Sequence, residues 1–116
     1  MILRTKQCIV FEKLHPEEYK RFSCGPGGIG DWMVPDTIYG LSMRPACRQH
    51  DYDYRFGNGA SDEHRKECDA RFKKNMHIIV HEESGSKMLK TMRHVRINIY
   101  YLSVRAFGSA AYWKER

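Results

Sequence analysis

The chain has 116 residues, 41% of them hydrophobic, and a formal charge of +6 at pH 7. That length supports one buried core, no apolar run approaches the ~20 residues needed to cross a bilayer, and the N-terminus lacks the basic start and apolar stretch of a secretory signal. The expectation is one soluble domain over residues 1–116, with its charge gathered at one end. Residues 1–85 hold 13 Lys/Arg and 13 Asp/Glu, whereas residues 86–116 hold 7 and 1. A basic C-terminal quarter suits either a solvated helix face or contact with an anionic surface.

In chain order, the N-terminal piece is ambiguous: CIVF (8–11) reads as a short strand or as part of a helix. CGPGGIGDWMVPD (24–36) is too rich in Gly and Pro to be anything but a loop. Ser42 is a candidate cap for a helix over about 43–56 whose first turn tolerates Pro45 and which Gly57 stops. Ser61 with Asp62 and Glu63 opens a second helix, on which Cys68, Phe72, Met76 and Ile79 form an apolar stripe; ESGS ends it. From about Ser86 to 113, Met88, Met92, Val95, Ile99, Leu102 and Ala106 recur at steps of four and three, which predicts a long amphipathic helix with that stripe in the core and Gly108 as its first plausible break. The fold class expected is therefore mostly α.

The first of these helices carries CRQHDYDY (47–54). Cys47, His50, Asp51 and Tyr54 stand three and four residues apart and share one broad face. The short connection GNGAS returns the chain antiparallel, which can bring Asp69 of the next helix against His50. A histidine held by a carboxylate through one ring nitrogen offers the other as a proton acceptor, the arrangement of an oriented general base. Asp51 points about a hundred degrees away and is available for another task. Ca²⁺ takes six to eight oxygens, and a glycine-rich backbone such as SCGPGG can turn several carbonyls toward one point, so Asp51 plus the loop suggests a calcium site. Tyr52, Tyr54 and Phe56 otherwise read as packing residues. Trp32 and Met33 suit either the core or the mouth of the site, and His15, His77, His81 and His94 are read as structural or surface histidines.

SCGPGG, ACRQHDYDY and ECDARF, in that order, resemble the calcium-dependent secreted-type phospholipases A2, with the match covering roughly residues 22–75. The resemblance implies His50 as the base that takes a proton from water, Asp69 as its partner, and Tyr54 as a hydroxyl donor to the same network. It implies Ca²⁺ as cofactor, bound by Asp51 and by the backbone carbonyls of Ser23, Gly25 and Gly27, with the Gly25 N–H assisting at the oxyanion. Cys24 and Cys47 match two family positions that pair in a disulfide. Lys20 and Arg21 replace the family's tyrosine and glycine before the loop. Only 19 positions separate His50 from Asp69, so the chain is similar to the compact bacterial, fungal and parvoviral forms. Cys68 matches a family cysteine whose usual partner position is Asp53 here, which leaves it to pair with Cys8 or stay a thiol.

The implied activity is hydrolysis of the sn-2 ester of glycerophospholipids at an anionic membrane surface, outside the cytoplasm or on a membrane, with no nucleic-acid partner expected. Three other readings compete. An inactive phospholipase-like membrane-binding module is opposed by the presence of His50, Asp51 and Asp69. A zinc module built from Cys24, Cys47, His50 and Cys68 leaves Asp51, Asp69 and the glycine loop without a role, and a basic nucleic-acid-binding protein accounts only for the C-terminal charge. An EF-hand fails because Phe56 occupies the position where its loop needs Gly.

Overall fold

The computed structural model describes residues 1–22, 37–56 and 61–114. Within them the chain is mostly helical, with one two-stranded hairpin. Helices α1 (Lys6–Leu14) and α2 (Pro16–Arg21) come first, then β1 (Thr37–Ile38) and β2 (Leu41–Ser42), α3 (Arg44–Phe56), α4 (Asp62–Glu83), α5 (Lys87–Phe107) and α6 (Ser109–Lys114). No helix of the described residues is long and apolar enough to cross a membrane.

Local chemistry accounts for most of the boundaries. Thr5 caps α1, its hydroxyl accepting from the Cys8 N–H at 3.2 Å, so CIVF is helical. Pro16 opens α2 where a missing N–H costs nothing. The Ser42 hydroxyl accepts from the Arg44 N–H, Ser61 caps α4 through the His64 N–H, and Ser86 caps α5 through the Leu89 N–H. Gly108 divides the expected helix over 86–113 into α5 and α6. A Cβ there would lie 2.5 Å from the Val104 carbonyl oxygen and 3.3 Å from the Tyr54 hydroxyl, so the site admits only glycine without movement. The hairpin was not expected; it pairs Thr37 with Ser42 and Ile38 with Leu41. Its two turn residues, Tyr39 (φ 49°) and Gly40 (φ 83°), both take the left-handed conformation a tight hairpin requires.

Helices α3 and α4 run antiparallel, and α4 then packs along α5. The core between them buries Cys47, Phe72, Met76, Ile79, Val80, Ile97 and Val104, with Ile38 and Met43 from the hairpin side. The apolar stripe read on α4 is thus buried throughout, Cys68 lying in a smaller cluster with Tyr54 and Tyr112. An aromatic cluster of Phe11, Tyr19, Phe22 and Tyr52 seats α1 and α2 against α3. Phe56, read as a packing residue, is 45% exposed, although its ring still meets Phe11 at 4.9 Å.

The stripe on α5 does not face the core. Met88, Met92, Val95, Ile99, Leu102 and Ala106 are all exposed, while Arg93, Ile97 and Val104 are the buried residues of this helix. The physical reason is that the less apolar face can be buried because its arginine is fully engaged. Arg93 donates from Nε to the Ile38 carbonyl at 3.0 Å, from Nη2 to the Tyr39 carbonyl at 2.6 Å and from Nη1 to the Ser84 hydroxyl at 3.0 Å. These bonds to neutral acceptors offset part of the cost of burying the charge and tie α5 to the hairpin turn.

Candidate functional site

His50 sits two turns into α3, facing α4. Its Nε2 lies 2.8 Å from Asp69 Oδ1, and the Tyr54 hydroxyl donates to the same oxygen at 2.5 Å. The other oxygen, Oδ2, accepts from Arg105 Nη1 at 2.8 Å and pairs with Arg65 Nη1 at 3.6 Å. Asp69 is completely buried. A carboxylate can only accept, so the His50 hydrogen resides on Nε2 and the lone pair on Nδ1. The His50 ring stacks on Phe72, with centroids 4.3 Å apart and planes 18° apart, and its side chain is 14% exposed. The histidine is thereby held on one side by a charge and on one face by an apolar ring, with a single tautomer and limited access to water.

Burial alone raises the carboxyl of Asp69, but the hydrogen bond and charge of His50, with the bonds from Tyr54 and Arg105, bring it below its ordinary value. Asp69 stays ionised and can stabilise a positive charge on the imidazole. Tyr54 moves the other way: burial and then the Asp69 charge push its hydroxyl well above the ordinary phenol, so it remains a donor. Arg65 also donates to the carbonyls of Val104 and Arg105, at 3.5 and 3.3 Å, which ties α4 to the end of α5 around the same carboxylate.

Asp51 follows His50 and is half-buried. Its Oδ1 accepts from Arg55 Nε at 3.0 Å, one turn along α3. As a calcium ligand it fits in kind, a hard anionic oxygen beside the histidine. The Arg55 side chain is 34% exposed and has solvent into which to withdraw. Among the described residues no group of three His, Cys, Asp or Glu side chains is assembled to hold a metal. The residues expected to supply the further calcium ligands, Ser23, Gly25 and Gly27, lie outside the described residues, as do Cys24, Trp32 and Met33. The Cys24–Cys47 pairing falls there too. Cys47 is buried and is not one of the thiols; Cys8 and Cys68 are thiols, and no bridge joins them.

Three features at or near the site were not anticipated. Arg105, read as part of a basic outer face, is bound to Asp69. Gln49, fully buried next to His50, receives the Thr5 N–H at 3.2 Å and donates to Asp53 at 2.8 Å, and Asp53 in turn holds Arg71 at 2.7 Å. Asn75 and Leu3 exchange a reciprocal pair of bonds at 2.6 and 2.8 Å. Together these fasten the N-terminal segment across α3 and α4. Buried amides at Gln49 and Asn75 on otherwise charged helices were the available sequence signal, since an isolated amide facing inward needs a partner. No protein-family model, curated protein or solved structure matches the chain.

Proposed function

We propose that the chain is a calcium-dependent phospholipase A2 that hydrolyses the sn-2 ester of glycerophospholipids. The observation that supports this best is the Tyr54–Asp69–His50 chain of hydrogen bonds, which leaves the Nδ1 lone pair of a half-buried histidine as a base of one defined tautomer. In this reading Nδ1 takes a proton from a water that attacks the ester carbonyl, and the imidazolium so formed is stabilised by Asp69. Nδ1 then returns the proton to the departing alcohol. No covalent intermediate with the protein is required. Tyr54 and Arg105 hold the carboxylate in place and ionised. Asp51, with the backbone carbonyls of Ser23, Gly25 and Gly27, would hold Ca²⁺, and a Cys24–Cys47 bridge would keep the loop against α3. When bound, the ion supplies positive charge toward the ester carbonyl, with the Gly25 N–H as a second donor. Of the basic residues of α5, Lys87 and Arg96 are exposed and can meet an anionic lipid surface.

Arg105 gives one rival reading some support, because a carboxylate already neutralised by a guanidinium also serves a purely structural role. That reading is an inactive module of the same fold that binds membranes. Fatty-acid release from mixed-chain phospholipid vesicles, with Ca²⁺ and with chelator, separates the two. The expected result is sn-2 acid released only with Ca²⁺, abolished in His50→Gln with calcium binding nearly intact, and lost together with calcium binding in Asp51→Asn. Vesicle binding with no release would establish the inactive module, and release that persists in chelator would remove calcium from the scheme.

A further inference from the structure

The exposed face of α5 has a defined pattern. Met88, Met92, Val95, Ile99, Leu102 and Ala106 follow one another at steps of four, three, four, three and four. All six are exposed, Met88 at 70% and Leu102 at 67%. Met88, Val95 and Leu102, and likewise Met92, Ile99 and Ala106, recur every seven residues over about two and a half heptads, so the six form one continuous stripe of the kind that packs against another helix. The core-facing residues Arg93, Ile97, Tyr100 and Val104 occupy the opposite side, so the seam points directly away from the body of the protein.

We infer that α5 is the contact between two copies of this chain, packed seam against seam about a two-fold axis. The charges favour a second copy over a lipid surface. A helix lying on a membrane carries Lys and Arg along its polar face, but of the five basic residues of α5 only Lys87 and Arg96 are exposed. Arg93 is buried among its three acceptors and Arg105 is turned onto Asp69. Beside the seam stand Leu89, Thr91, Asn98 and Ser103, all uncharged, with two separated cations, Lys87 at its N-terminal end and Arg96, whose Nε donates to the Tyr39 hydroxyl at 3.1 Å. An identical copy therefore brings no run of like charge against its mate. The six residues uncover roughly 600 Å², at the upper end of the apolar patches monomers expose, and a pair would bury at most roughly 1,200 Å² from them, the lower end of the range of specific interfaces.

This inference is independent of the catalytic reading and is tested on the whole chain. Sedimentation equilibrium at tens of micromolar should give twice the chain mass for the parent. Val95→Glu with Leu102→Glu should weaken association by at least about 100-fold, since the two-fold places both new charges of each copy in the seam. A milder Val95→Ser, Leu102→Ser variant should also dissociate, and both should keep the parent's far-UV circular dichroism, because neither side chain contributes to the core. Three outcomes would overturn the inference: a parent monomeric throughout that range, a dimer that survives both variants, or a monomer that binds anionic vesicles in the parent and loses them in both variants, which would make lipid the occupant of the seam.

Discussion

Replacing Asp69 by Asn changes one atom and should cost about 3 kcal/mol. Every partner of the carboxylate is a donor: His50 Nε2–H and the Tyr54 hydroxyl at Oδ1, Arg105 and Arg65 at Oδ2. An amide therefore turns an N–H₂ toward donors whichever way it is placed, and two buried or half-buried guanidinium groups lose their counter-charge. Breaking a buried ion pair costs about 3–5 kcal/mol. The lower end applies here, because Arg105 is 26% exposed and can turn to water, and Arg65 retains the carbonyls of Val104 and Arg105. Urea unfolding followed by circular dichroism measures this directly, and thermal unfolding should show a fall of about 10–15 °C for a domain of this size. The parent's advantage is also pH-dependent. The Asp69 carboxyl is depressed in the folded state, so its contribution is fully present above the unfolded carboxylate value of about 3.9 and is lost as pH falls through the folded value. The variant should therefore lose less stability than the parent over that acid range. Hydrolysis should fall about 10²–10⁴-fold, since His50 is left with neither a defined tautomer nor a stabilised charge. A loss of stability under about 1 kcal/mol would refute the view of Asp69 as the charged centre of the fold.

How far the sequence disclosed this arrangement depends on the distance over which each signal acts. The limits of α3 and α4 were legible because they are set by residues within a turn, such as Ser61 accepting from His64. The meeting of His50 with Asp69 was legible for a related reason: a short connection between two helices leaves little choice of register, and steps of three and four select the facing residues. The ties of the N-terminal segment were not, because Thr5 meets Gln49 and Leu3 meets Asn75 across 44 and 72 residues, and nothing local marks either pairing. The hairpin was obscured because Tyr39 adopts a backbone conformation that glycine favours.

The reversal of α5 is the instructive failure. Two faces of this helix satisfy the same periodicity: Met88 to Ala106 on one, and Arg93, Ile97, Tyr100 and Val104 on the other. Hydropathy selects the first. What selects the second is the set of acceptors waiting for Arg93 on the hairpin and at Ser84, together with Asp69 waiting for Arg105, and no pattern within the helix reports where those acceptors are. The same fact divides the basic C-terminal quarter into charges that hold the fold together and charges that face outward.

Four further outcomes follow from individual side chains. Arg55→Gln should tighten calcium binding about fivefold in calorimetric titration without lipid, because Arg55 holds Asp51 through a partly exposed pair worth at most about 1 kcal/mol; an unchanged affinity would mean that it does not compete for that oxygen. His77 and His94 meet Nδ1 to Nδ1 at 2.6 Å between α4 and α5. Both are depressed, His77 by burial and then the His94 charge, and His94 by burial and then Lys90 and His81, with Lys73 and Asn98 also facing His77. Stability should therefore fall with pH below about 6.5, as the unfolded chain takes up protons the folded one resists, and His94→Gln should flatten the melting-temperature profile between about pH 7 and 5; a parallel profile would refute this. Arg93→Ala should cost about 2–3 kcal/mol and leave vesicle binding unchanged. Its three bonds end on two hairpin carbonyls and Ser84, but the exposed Tyr39 can rehydrate its carbonyl, which keeps the loss below the sum of three charged hydrogen bonds. Lys87→Glu, on an exposed side chain, should leave stability within about 0.5 kcal/mol and weaken binding to anionic vesicles. The opposite assignment, with Arg93→Ala as stable as the parent and poor at binding vesicles, would mean that this guanidinium faces lipid and that a different contact anchors the hairpin to α5.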